Sequence, residues 1–179
     1  MPRYIAFLRA INVGGRVIKM EELRRVFAAA GLTNVESFIA SGNVLFDTRV
    51  TSEQALRKKV EAALAHELGY RVDTFLRDPQ EVKRIAAFQA FPPSSFRTAQ
   101  SRLFIGFLGT ALERETAQRL VRLSSETDEF RVDGRELYWL CHVPASESDF
   151  SGPKLEKTIG QATTVRNVNT VRRLAAKLG

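Results

Sequence analysis

Two segments far apart in the chain, YIAFLRA at 4–10 and RLFIGFLG at 102–109, read as one apolar strand written twice. This repeat constrains the fold more than any other feature, because similar patterns follow each copy. After the first comes a helix over 19–30, with Met20, Leu23, Val26 and Phe27 on one face and Gly31 at its end. Strands over 34–40 and 43–48 flank a tight Ser41-Gly42 turn. A second amphipathic helix over 52–68 turns Leu56, Val60, Ala63, Leu64 and Leu68 inward, and a strand over 72–78 completes β-α-β-β-α-β, the ferredoxin-like pattern. Asp78-Pro79 caps a further helix over 79–89.

After the second copy the spacing predicts a helix over 112–124 and a hairpin EFRV-DG-RELYWLCHV, with Asp133-Gly134 in the place of Ser41-Gly42. Helices near 152–160 and 167–178 close the chain. The expectation is an α+β protein of two ferredoxin-like halves, the second ending in helices rather than a fourth strand. The first half covers residues 1–90, a Pro/Ser-rich connection 91–101, and the second half 102–179.

The repeat also marks where function is grafted. In the second half strand and helix are joined by Gly109-Thr110-Ala111, a short βα link. In the first half the join runs from Asn12 to Lys19 and is rich in glycine and cations. With strand order 4-1-3-2, strands one and two run the same way, about 9–10 Å apart with strand three between them. Arg9, Asn12, Gly14, Gly15 and Lys19 then gather near Ser41, Gly42 and Asn43, facing the positive end of the first helix. Gly14-Gly15 allows backbone N–H groups to approach a ligand. Arg9 offers a bidentate fork, Lys19 a point charge, and Asn12, Ser41 and Asn43 neutral hydrogen bonds. The set suits an anion-binding site, although the P-loop spacing is absent. The plainer reading is a polar loop with incidental cations. Arg9 weighs against it, because it shares a strand face with Ile5, Phe7 and Ile11.

Charge is uneven along the chain. Of the net +7, residues 151–179 hold +5, with six Lys/Arg against Glu156 alone. A basic end suits nucleic acid or phosphorylated ligands, or is a solvated helix face matched to its own dipole. No apolar run approaches the ~20 residues of a membrane span. The apolar start is too short, and too soon interrupted by Arg9, for a signal peptide, so a cytoplasmic protein is expected with no membrane partner. A single cysteine, Cys141, excludes an internal disulfide and a cysteine zinc cluster.

Other chemical motifs dissolve on inspection. LFIGFL at 103–108 evokes an RNA-contact strand, but Tyr138 and Trp139 are strand neighbours facing opposite sides. Cys141 and His142 point apart for the same reason and cannot pair, and His66 sits on a helix among Ala and Leu. No metal site, cofactor motif or carboxylate pair is evident, and Ser41 lacks a visible base.

FLRAINVGG, KMEEL and SGNVLF near the start, with SGPKLEKTIG and TTVRNVNTVRRL near the end, resemble the signatures of the bacterial family catalogued as domain of unknown function 1697. The resemblance spans nearly the whole chain and implies a two-part α+β fold built from ferredoxin-like units, with no settled activity. It carries over at Arg9, Asn12, Gly14, Gly15, Lys19, Ser41, Gly42 and Asn43. At the far end it carries over at Lys154, Lys157, Thr164, Arg166, Asn167 and Thr170. The chain departs at Ala10, where the family pattern has glycine, and at Val168, where it has tryptophan; an alanine in an extended strand need not disturb it. Thr164, Asn167 or both cap the last helix, or Arg166, Asn167 and that helix start join the first cluster in a pocket.

The residues therefore suggest a binding protein for a phosphate- or carboxylate-bearing small molecule. An enzyme acting on such a ligand, with Lys19 as acid or base, is one alternative. Nucleic-acid binding through the basic end is another, and a protein partner seated on an open sheet face is a third.

Overall fold

A computed structural model describes residues 1–11, 15, 17–39 and 42–179. The chain divides into two compact units, Met1–Val82 and Lys83–Lys177. The first contains β1 (Arg3–Leu8), α1 (Met20–Ala29), β2 (Thr33–Ser37), β3 (Asn43–Asp47), α2 (Glu53–Leu68) and β4 (Thr74–Arg77). Its strands form an antiparallel sheet in the order β2-β3-β1-β4. Alternation decides the faces. Ala6, Leu8, Val44, Phe46 and Leu76 pack against Leu23, Val26 and Phe27 of α1 and Leu56, Val60 and Leu64 of α2. Ile5, Phe7 and Leu45, on the opposite face, are buried as well.

Helix α3 (Pro79–Ala87) spans the division. It starts with a capping box. The Asp78 carboxylate accepts from the Glu81 N–H at 2.8 Å, and the Glu81 carboxylate accepts from the Asp78 N–H at 2.8 Å.

The second unit repeats the plan with β5 (Arg102–Leu108), α4 (Arg114–Arg122), β6 (Asp128–Asp133), β7 (Glu136–Cys141), α5 (Gly152–Ile159), β8 (Thr163–Asn167) and α6 (Val168–Leu178). Its antiparallel order is β6-β7-β5-β8. The expectation that this half lacks a fourth strand is wrong. β8 pairs with β5 from Phe104↔Asn167 to Leu108↔Thr163. Thr163, Thr164 and Val165 are β-branched and suit a strand, but the Thr and Asn around them also read as helix caps. Pairing with β5 settles the competition in favour of the strand.

The two registers superpose. Ile5 lies opposite Leu45 and Arg77, and Ile105 lies opposite Tyr138 and Arg166. Ala6 faces Val44 where Gly106 faces the larger Leu137. A Cβ on Gly106 would sit 2.7 Å from the Leu137 Cγ, so the small and large residues in each pair are matched. No helix among the described residues is long and apolar enough to cross a membrane.

Candidate functional site

The polar edge of the first unit begins where β1 ends. The Leu8 N–H donates to the Gly42 carbonyl at 2.9 Å, and the Arg9 N–H donates to the Asp73 carbonyl at 3.0 Å. These bonds set Arg9 and Gly42 at one end of the sheet. Ala10 then adopts φ +54°. It therefore does not lie in an extended strand, as expected. The chain turns out of the sheet one residue after Arg9, in the left-handed region that glycine favours. Arg9 leaves the strand face with it. Its Nη1 lies 3.9 Å from the Asp73 carboxylate, which also accepts from the Arg71 Nε at 2.9 Å.

Gly42 has φ +80°, and a Cβ there would lie 2.9 Å from the Ile11 Cγ2 and 3.0 Å from the Leu8 Cβ. Backbone angle and packing thus both demand glycine. Asn43 is buried, and its Nδ2 donates to the carbonyls of Phe38 at 3.0 Å and Ile39 at 3.3 Å. Its amide ties down the β2–β3 connection, an ample structural reason for asparagine.

Gly15 has φ +81°, with open space where a Cβ would be. Lys19 is exposed and occupies the N-cap of α1, where its side chain offers no acceptor to the first-turn N–H groups. By contrast Ser52, Ser151 and Asn167 cap α2, α5 and α6 with side-chain oxygens. Asn12, Gly14 and Ser41, also expected in the site, lie outside the described residues.

The other expected group, Arg166 and Asn167, is built by the second unit. The Arg166 Nη1 donates to the Thr164 Oγ1 at 2.6 Å and to the Val165 carbonyl at 3.1 Å. Burial lowers the Arg166 guanidinium from its ordinary value to about 10, which leaves it charged at neutral pH. Asn167 is the N-cap of α6 and accepts from the Asn169 N–H at 2.8 Å. Of the two candidate caps, Asn167 therefore takes the role, while Thr164 lies within β8.

Cys141 and His142 diverge as strand alternation requires. Cys141 is buried with its Sγ donating to the Val143 carbonyl, and burial pushes the thiol above its ordinary pKa. His142 instead bonds Ser101 on one side and Glu129 on the other, a grouping that residue spacing does not reveal. Strand register was the missing signal, since these residues come from three different strands or strand ends.

Among solved structures, the chain is similar to the conserved bacterial protein SP0830 from Streptococcus pneumoniae, at 24% identity and a TM-score of 0.74 over 99% of this chain and 98% of that one. That likeness concerns the fold. No curated protein matches the chain. The model of the family described as protein of unknown function (DUF1697) matches residues 1–138, and the chain belongs to that family.

Proposed function

We propose that the protein binds an anionic small molecule bearing phosphate or carboxylate at the polar edge of its first unit. The observation that carries this reading is the start of α1, which no side chain caps among the described residues. Its N-cap is a lysine without an acceptor, and a glycine-containing loop leads into it. A helix start with unpaired N–H donors and a neighbouring ammonium attracts an anion. Lys19 supplies the contact charge, Gly15 leaves room for close approach, and Arg9 adds positive potential at the same end of the sheet. Gly42 and Asn43 hold the edge in shape.

We also read each half as a ferredoxin-like unit. The antiparallel order β2-β3-β1-β4, and its counterpart β6-β7-β5-β8, support this. A cytoplasmic setting fits a chain whose one cysteine is a buried free thiol.

A thermal-shift screen with inorganic phosphate, nucleotides, phosphorylated metabolites and carboxylates tests the binding reading. A ligand at about 100 times its Kd stabilises by ~2.7 kcal/mol, or very roughly 5–11 °C for a chain of this size. The expected result is a shift in the wild type that Lys19→Ala reduces severalfold at matched ligand. A shift that survives Lys19→Ala unchanged, or none across the panel, overturns the reading. Short RNA in the same panel tests the competing idea that exposed Arg172, Arg173 and Lys177 on α6 bind nucleic acid, which demands a steep loss of affinity with salt.

A further inference from the structure

At the end of the second sheet, three side chains form one hydrogen-bonded line. The Ser101 Oγ lies 2.8 Å from the His142 Nδ1, and the His142 Nε2 lies 2.6 Å from the Glu129 Oε2. The arrangement follows from register. Arg102 pairs with Cys141, so Ser101 and His142 face each other one step further along. Glu129 pairs with Leu140, which puts it diagonally beside His142 on the same face of the sheet.

The line has a direction. An ionised Glu129 only accepts hydrogen bonds, so the Nε2 of a neutral His142 carries the proton. The Nδ1 is then a bare acceptor, and the Ser101 hydroxyl donates to it. The same Ser101 oxygen receives the Thr98 N–H at 3.2 Å. A hydroxyl that gives its proton to an imidazole while its oxygen accepts an N–H is polarised as a nucleophile. The imidazole is held in the required tautomer by a carboxylate, as nucleophile, base and orienting group require. The two ring nitrogens take the reverse of their usual parts, and either nitrogen has the basicity for the task.

Ser101 is 8% exposed and His142 is 3% exposed, so the base works in a largely dry setting. Residues 97–100, immediately before Ser101, are exposed, so only a turn separates the hydroxyl from solvent.

We propose that Ser101, His142 and Glu129 form a nucleophilic site for small carboxylic esters, separate from the anion site of the first unit. The Ser101 Oγ attacks the ester carbonyl carbon and its proton passes to the His142 Nδ1. The carbonyl–alkoxy bond breaks, and the alcohol leaves with that proton. The acyl group remains on Ser101 until a water, deprotonated by the same nitrogen, releases it as the carboxylic acid, and that proton returns to the Ser101 Oγ as the acyl–oxygen bond breaks. Glu129 is the positioning residue.

The test treats the full-length protein with p-nitrophenyl acetate and follows nitrophenolate release, with peptide mass mapping to locate the acetyl group. The expected product carries acetyl on Ser101, lost in Ser101→Ala. His142→Gln should slow Ser101 acetylation by about 100-fold or more. Nitrogen-15 spectra of the ring give a readout independent of turnover, and with only two histidines a His66→Gln variant assigns them. The proton of the neutral His142 ring should sit on Nε2, and Glu129→Gln should change its ring shifts and slow acetylation while the melting temperature holds. Three results each overturn the proposal: a Ser101 left unmodified while surface lysines are acetylated, a rate unchanged in His142→Gln, or a ring proton on Nδ1.

Discussion

Replacing Gly106 by alanine tests the packing logic of the repeat. The added Cβ would lie 2.7 Å from the Leu137 Cγ, 2.9 Å from its Cδ1 and 3.1 Å from the Thr163 Oγ1. Carbon atoms at rest sit about 3.5–4.0 Å apart, so the overlap is roughly 1 Å and β7 or its side chain must move. Overpacking of this kind costs about 1–3 kcal/mol. Alanine recovers about 0.5–1 kcal/mol of the conformational entropy that glycine loses in a strand. The net loss should be about 1–2 kcal/mol, which lowers the melting temperature by about 2–8 °C in a chain of this size. Leu137→Val alone removes one methylene and should cost ~1 kcal/mol. The double variant recreates the Ala6–Val44 pair of the first sheet, so it should be more stable than Gly106→Ala alone. Urea unfolding of the four proteins completes a double-mutant cycle. A coupling of about 0.5 kcal/mol or more, in the rescuing direction, is expected. Strictly additive losses would refute the claim that Leu137 is what makes residue 106 glycine.

Three further outcomes rest on local contacts. Ala10→Gly should stabilise the protein, or leave it unchanged, where an ordinary exchange of this kind costs about 0.5–1 kcal/mol; the φ of +54° is the reason, and thermal melts check it. Asn43→Ala should cost about 1–3 kcal/mol by removing the amide hydrogen bonds to the Phe38 and Ile39 carbonyls, as urea unfolding of the variant would show. Asp47 is held below the ordinary aspartate pKa, chiefly by its hydrogen bond from the Asn34 amide and then by Arg3. Its unfolded form therefore binds a proton at a higher pH than its folded form. The stability it contributes is complete above the unfolded pKa and is lost as pH falls through the lower folded value. Asp47→Asn should flatten that part of the acid unfolding curve, and an unchanged curve would contradict the assignment.

Where backbone pattern alone sufficed, the elements were legible. Apolar runs marked β1, β3, β5 and β7, and the Asp78-Pro79 signal marked the start of α3, because strand and cap preferences act within a few residues. β8 was not legible. Thr163–Asn167 satisfies both a strand and a cap description, and only the free edge of β5 chooses between them. The site divided in the same way. Gly42 was read as part of a turn and a binding edge; the closeness of Leu8 and Ile11, which makes the position glycine, comes from residues a whole helix away in the chain. Asn43 was read as a ligand contact because asparagine is polar, and burial shows it bonding its own turn. Arg9 was placed on a strand face that ends one residue earlier.

Residue order carries periodicity, capping and the repeat of YIAFLRA in RLFIGFLG, and these are short-range properties that name the α+β class and most of its elements. It carries no information about register, which is set by hydrogen bonds between segments brought together from far apart in the chain. Register is what lays Gly106 against Leu137 and turns Ser101, Glu129 and His142 toward one another. Such pairings appear only when the sheet closes, because a side chain's partners across a strand depend on alignment rather than on sequence distance.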